Sequence, residues 1–190
     1  MSRKTRRVPV SLDSRGVEPL SDEEIRTILR GADDLIMSGG RSLLARILKG
    51  SKQKTVIEKE LDRSPVYGAM RELSIDEITR RIDWMIEAGY LAIEYDYRLP
   101  LLKYTDAGWA IERQVYAREL LDRVDREIEQ GTDARDIAWL NERNPEVLVL
   151  VTERIAQSGD PKYLPFLKRW KNKASRRLSA QIRKAIAALQ

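Results

Sequence analysis

The chain has 190 residues, 42% hydrophobic and 34% charged, with 7 Pro and 10 Gly, a make-up that supports a globular core and a length that suits one large domain or two small ones. It has no Cys and no His, which excludes disulfides, thiolate or imidazole zinc sites, Cys nucleophiles and every triad with a His base. A net charge of +5, from 35 Lys+Arg against 30 Asp+Glu, and a pI near 9.4 point to a polyanionic partner.

Residues 1–20 read as a basic, mostly irregular arm punctuated by Pro9, Gly16 and Pro19. The arm serves either as a phosphate-binding tail or as a solubilising end. No apolar run follows its basic start, so a secretory signal is not expected, and no stretch approaches the roughly 18 apolar residues of a membrane span. A cytoplasmic location is expected.

Ser21 and Glu24 have capping-box spacing, and Ile25, Ile28 and Leu29 supply the stripe of a first helix that fades over 33–38. Gly39 and Gly40 break it, and a second helix runs from Arg41 to Lys49. After the turn at Gly50, Ser51 and Lys52, a short helix is predicted from Thr55 to Leu61, then a loop through Ser64 and Pro65. A second capping box, Ser74 and Glu77, opens a helix carrying Ile75, Ile78, Ile82, Met85 and Ile86 and stopped by Gly89. Two strand-like runs follow, Tyr90–Tyr95 and Leu99–Tyr104, with Asp96, Tyr97 and Arg98 at the tip. A long helix then runs from about Thr105 to Gly131. Further helices are predicted over Asp136–Glu142, Pro145–Gln157, Tyr163–Trp170 and Arg176–Leu189.

Charge is not spread evenly along this plan. Residues 35–57 carry Arg41, Arg46, Lys49, Lys52 and Lys54 and no acid, and residues 161–190 carry nine basic residues and no acid. The intervening residues are net acidic. Two acid-free blocks of this length favour polyanion binding over an ordinary solvated surface.

The run from Gly39 to Lys54 resembles the start of the RecQ C-terminal winged-helix domain: a Gly-Arg opening, an apolar helix, then Lys49-Gly50-Ser51 ahead of further lysines. The likeness continues at Val66-Tyr67-Gly68, through Ile82–Leu91, and at Leu102–Gly108, where a return strand leads into Thr105-Asp106-Ala107-Gly108. The resemblance covers residues 38–112 and implies a domain that binds duplex or branched DNA. Matching positions imply that Arg41, Lys49, Gly50, Ser51, Lys52 and Lys54 grip phosphates, with Tyr67 beside them. That use agrees with glycine admitting a close backbone approach and serine offering a hydroxyl and an amide. The family also uses its hairpin as a wedge, which here places Tyr97 and Arg98 at the tip. Tyr97 is equally an ordinary turn tyrosine. The chain departs from RecQ helicases in having no Gly-x-x-x-x-Gly-Lys-[Ser/Thr] loop and no cysteine for a zinc module.

A second resemblance lies in residues 151–167, where Gly159-Asp160-Pro161 and Leu164-Pro165 look like the turn of a HEAT repeat, with a plain helical extension as the alternative. The expected architecture is mainly α with a small β-hairpin: a basic arm (1–20), a RecQ-C-terminal-like winged helix (21–131) and a basic helical region (132–190). Lys168, Lys171, Lys173, Arg176, Arg177, Arg183 and Lys184 are candidates for a secondary DNA track. Asp33 and Asp34 read as helix-end residues rather than metal ligands, and the four tryptophans as core or interface anchors. The expectation is a non-catalytic DNA-binding protein without metal, cofactor or membrane partner. The alternatives are a module docking onto a helicase, nuclease or other DNA-processing protein, and a regulator reading base edges through Arg80 and Arg81.

Overall fold

A computed structural model of the protein describes residues 7–131 and 137–190. The basic residues Arg3, Lys4 and Arg6 of the expected arm, and the expected helix start at Asp136, lie outside the described residues. Backbone packing divides the chain into two compact units, one up to Glu112 and one from Arg113.

The first unit opens with α1 (Asp22–Asp33), α2 (Arg41–Lys49), α3 (Lys54–Glu58) and α4 (Ile75–Glu87). Both capping boxes form: the Glu24 carboxylate accepts the Ser21 amide at 3.0 Å, and that of Glu77 accepts the Ser74 amide at 2.8 Å. Ile25, Ile28 and Leu29 of α1, Leu44, Ile47 and Leu48 of α2, and Ile78, Ile82 and Met85 of α4 meet in one core. The third helix is shorter than expected and gives way to a 3₁₀ turn over Leu61–Arg63. Thr55, Val56 and Ile57 are β-branched and lose rotamer freedom in a helix, and Val56 is the one α3 residue buried in return.

A hairpin of β1 (Leu91–Asp96) and β2 (Leu99–Tyr104) follows, in antiparallel register from Leu91 opposite Tyr104 to Asp96 opposite Leu99. Asp96 is therefore paired, and the tip is reduced to Tyr97 and Arg98. The first strand starts one residue later than expected because the Tyr90 amide closes the end of α4 on Met85 O (2.9 Å). Leu102 also pairs sideways: its amide donates to Gly39 O and its carbonyl accepts the Met37 amide, both at 2.9 Å.

The Thr105–Gly108 motif has a steric cause. The Thr105 hydroxyl donates to Gly89 O (2.6 Å) and accepts the Gly108 amide (3.1 Å), starting α5 (Asp106–Glu129). A Cβ on Gly108 would stand 2.0 Å from Tyr90 O, so only glycine fits. Helices followed by a hairpin and a further helix give the winged-helix plan. Among the described residues this is the one sheet.

The second unit comprises the remainder of α5, α6 (Ala138–Asn141), α7 (Pro145–Ser158), a 3₁₀ turn at Pro161–Tyr163, α8 (Leu164–Lys173) and α9 (Arg176–Ala188). Val147, Val151 and Ile155 of α7, Phe166, Leu167 and Trp170 of α8, and Leu178, Ile182 and Ala185 of α9 are buried. Tyr163 enters this core with its hydroxyl donating to Asp125 at 2.6 Å. Burial and that bond push its phenol up to about 12. Asp125 also binds Lys162 at 3.0 Å.

Candidate nucleic-acid interface

The α2–α3 turn is fixed from three sides. Gly50 closes α2 in the left-handed region (φ 77°), with its own amide donating to Ile47 O and the Ser51 amide to Arg46 O, both at 2.9 Å. A Cβ on Gly50 would meet Gly68 Cα at 3.0 Å. Gly68 lies this close because its amide donates to Ile47 O (2.9 Å) and that of Met70 to Leu48 O (2.8 Å), so the 64–73 segment seats on the last carbonyls of α2. The Tyr67 hydroxyl donates to Ser51 O at 3.1 Å, and Lys49 Nζ donates to Arg71 O and to Leu73 O (2.9 Å).

The motif residues therefore separate by role. Gly50 and Tyr67 shape the turn, Lys49 bridges α2 to the 64–73 segment, and the Ser51 amide is used within the cap. The Ser51 hydroxyl accepts the Gln53 amide at 3.3 Å. Lys52 is exposed and has no partner among the described residues, and Lys54 is exposed beside Glu58 at 3.4 Å. Arg46, half-buried and also without a partner among the described residues, lines a groove of about 370 Å³ with Val8, Pro9, Gly40, Thr55 and Pro100. Arg46 belongs to the acid-free block, and nothing in the sequence alone distinguishes it from the other cations there.

Arg41 has an internal partner. Its guanidinium pairs with Asp83 of α4, whose carboxylate is 3% exposed, and also donates to Ser11 O at 3.1 Å. Asp83 further accepts the Asp13 amide at 2.9 Å. At the other end of this segment the Val8 amide donates to Arg98 O (3.0 Å), and Tyr95 donates its hydroxyl to Val8 O (2.9 Å). Arg7 lies over the Tyr95 ring at 4.9 Å. Residues 7–13 thus form a strap from the wing tip to α4, which no sequence signal announced.

On α4, Arg80 is exposed, whereas Arg81 binds Glu24 at 3.3 Å and Glu77 O at 3.2 Å. The Ser74 hydroxyl and amide, with Arg81 and Arg80 nearby, hold the Glu77 carboxyl below the usual carboxylate range. At the wing tip Tyr97 is 85% exposed with φ 53°, and Leu99 beside it is 60% exposed. Asp33 binds Arg30 at 3.7 Å and accepts from Tyr104. Among the described residues no group of three or more acidic side chains is placed to hold a metal ion.

In the second unit Lys168, Lys173, Arg176, Arg177, Arg183 and Lys184 are exposed and Lys171 is half-buried. The tryptophans are distributed through both units. Trp84 packs on Tyr90, Trp109 on Tyr104 and Trp170 on Phe166, and Trp139 lies under Arg123. Among the described residues, no helix is long and apolar enough to cross a membrane.

A family model described as RQC domain matches residues 22–126, more than half of the chain. No curated protein and no solved structure matches it. The matched region spans α1 through most of α5; the strap and the helices after α5 fall outside it.

Proposed function

Starting from the chain's membership of the RQC domain family, we propose that it grips the backbone of duplex or branched DNA through the α2–α3 turn and sets the wing tip against base pairs as a wedge. An RQC domain is a non-catalytic, DNA-binding winged-helix module of RecQ-like proteins. The observation that carries the finer reading is the acid-free segment 35–57, where Arg46, Lys52 and Lys54 surround a turn whose backbone is held rigid by Gly50, Gly68 and Tyr67. A fixed turn loses little freedom on binding, so its cations act on phosphates at small entropic cost.

Arg41 and Lys49 act as positioning residues in this reading, because each is already engaged with protein acceptors. Tyr97 supplies a stacking face at the wing, next to Arg98. The carboxylates around the interface are engaged as well: Asp83 by Arg41, Glu24 by Ser21 and Arg81, Glu77 by Ser74. That arrangement supports binding without chemistry. Base-edge reading from α4 is less well supported, since Arg81 is tied down and Arg80 alone is free to reach a groove.

The test is a titration of duplex, forked and single-stranded DNA at two salt concentrations. Binding of duplex and fork that weakens with salt, with the fork preferred, is expected. No binding of either at low salt contradicts the reading. A stable complex with a DNA-processing protein in the absence of DNA binding favours the docking alternative.

A further inference from the structure

Residues 161–190 contain nine basic and no acidic side chains, and the fold does not neutralise them evenly. Within the second unit, carboxylates are paired with cations elsewhere: Arg123 with Glu127 (3.1 Å), Lys162 with Asp125 (3.0 Å), and Arg113 with Glu146 (3.9 Å). Among the described residues the basic residues of α9 receive none: Arg176, Arg177, Arg183 and Lys184 are exposed, with no hydrogen bond or ion pair to a described residue. The one carboxylate lining the small depression at Arg177 is Glu146, which is paired with Arg113.

Their placement follows from the helical period. Leu178, Ile182 and Ala185 turn one face of α9 into the core, and all four cations fall on the opposite face. Arg176 and Arg183, and likewise Arg177 and Lys184, lie seven residues apart, two turns or about 10 Å along the axis. The face is thus two short parallel rows of positive charge.

Helix stability does not account for this arrangement. The N-terminal turn of a helix favours acidic residues and disfavours cations. Of the other helices, α1 opens on Asp22, Glu23 and Glu24, α4 on Asp76 and Glu77 and α7 on Glu146, whereas α2 opens on Arg41, paired with Asp83, and α3 on Lys54, beside Glu58. In α9 the first turn holds Arg176 and Arg177 and no acid. Four cations on one face without a partner among the described residues, two of them at the unfavoured end, call for an external polyanion.

We infer that the outer face of α9 is a second nucleic-acid surface that binds the phosphate backbone of duplex DNA independently of the winged helix. The choice of DNA as the polyanion rests on the function proposed above, since the same chain carries the RQC module. Each arginine or lysine that neutralises a phosphate adds about 0.9 to the salt dependence of binding. The full face accounts for a slope of about 3 to 4.

The experiment compares four forms of the full chain on one DNA duplex over a range of salt. These are the wild type, an α2–α3 variant (Arg46→Ala, Lys52→Ala, Lys54→Ala), an α9 variant (Arg176→Ala, Arg177→Ala, Arg183→Ala, Lys184→Ala), and a charge-keeping α9 variant (Arg176→Lys, Arg177→Lys, Arg183→Lys). Circular dichroism melts check that each is folded. The expected result is a slope smaller by about 3 to 4 in the α9 variant and near wild type in the charge-keeping one. An α9 variant with the wild-type slope overturns the proposal, whatever the α2–α3 variant does. Loss confined to the α9 variant leaves the proposal standing and removes the α2–α3 reading. A wild type that binds no duplex at low salt overturns both.

Discussion

Arg41, the first residue of α2, closes an ion pair with Asp83 in the middle of α4, and the Asp83 carboxylate is 3% exposed. The residue that motif position assigns to phosphate is thus a clamp between two helices and the strap, through Ser11 O and the Asp13 amide. Removing one partner of such a pair leaves a buried charge uncompensated, at a cost of about 3 kcal/mol or more. Asp83→Ala is expected to lower the denaturation midpoint of the first unit accordingly. Arg41→Ala is expected to destabilise the fold while leaving the salt slope of DNA binding near wild type. A slope reduced by about one with an unchanged melt would instead place Arg41 on a phosphate.

Gly50 is constrained twice, by its left-handed backbone and by Gly68 Cα at 3.0 Å from where a Cβ would sit. Gly89 has φ 80° but nothing within 4 Å. Gly89→Ala is therefore expected to cost about 1 kcal/mol from backbone conformation alone, and Gly50→Ala about 2 to 3 kcal/mol from conformation and collision together. Equal losses in urea denaturation would show that the Gly68 crossing contributes nothing.

The capping boxes set an acid limb to stability. The Ser74 hydroxyl and amide hold Glu77 below its ordinary 4.5. For Glu24, burial opposes the shift, but the Ser21 amide and hydroxyl together with Arg81 outweigh it, and its carboxyl is also lowered. A carboxyl depressed on folding stabilises the fold above its unfolded value and loses that contribution as pH falls through the folded one. The melting temperature is therefore expected to fall as pH drops below the ordinary glutamate value of 4.5. In a Glu24→Gln/Glu77→Gln variant that limb is flatter, while stability at neutral pH is lower. An identical acid limb in the variant would refute the assignment.

At the wing tip a tyrosine occupies a left-handed position (φ 53°) and exposes most of its ring. Both features are unfavourable for folding alone. Tyr97→Gly is expected to stabilise the hairpin by about 0.5 to 1 kcal/mol and to reduce the preference for forked over plain duplex DNA. A variant that keeps the wild-type fork preference would mark Tyr97 as an ordinary turn residue.

What could be read in the sequence is what local spacing determines. Ser21 with Glu24, Ser74 with Glu77, the glycine stop at Gly89 and the alternating strand at Leu91 are decided within a few residues, and the structure has each of them. The candidate site is legible only as composition, an acid-free stretch around a Gly-Ser turn, because charge balance is additive along a chain. The roles within it are not. Arg41 finds Asp83 across 42 positions, Tyr67 finds Ser51 across 16, and the strap closes on the wing through Tyr95 and Val8 across 87. Such pairings depend on how the helices pack, which periodicity does not specify.

The most direct test is the salt dependence of duplex binding by the wild-type chain and by the Arg46→Ala/Lys52→Ala/Lys54→Ala variant. If the α2–α3 turn grips phosphates, the log–log slope is expected to fall by about 2 to 3 in the variant, with the fold intact by circular dichroism. A folded variant that binds duplex with the wild-type slope and affinity would contradict the claim that this turn is where the winged helix holds DNA.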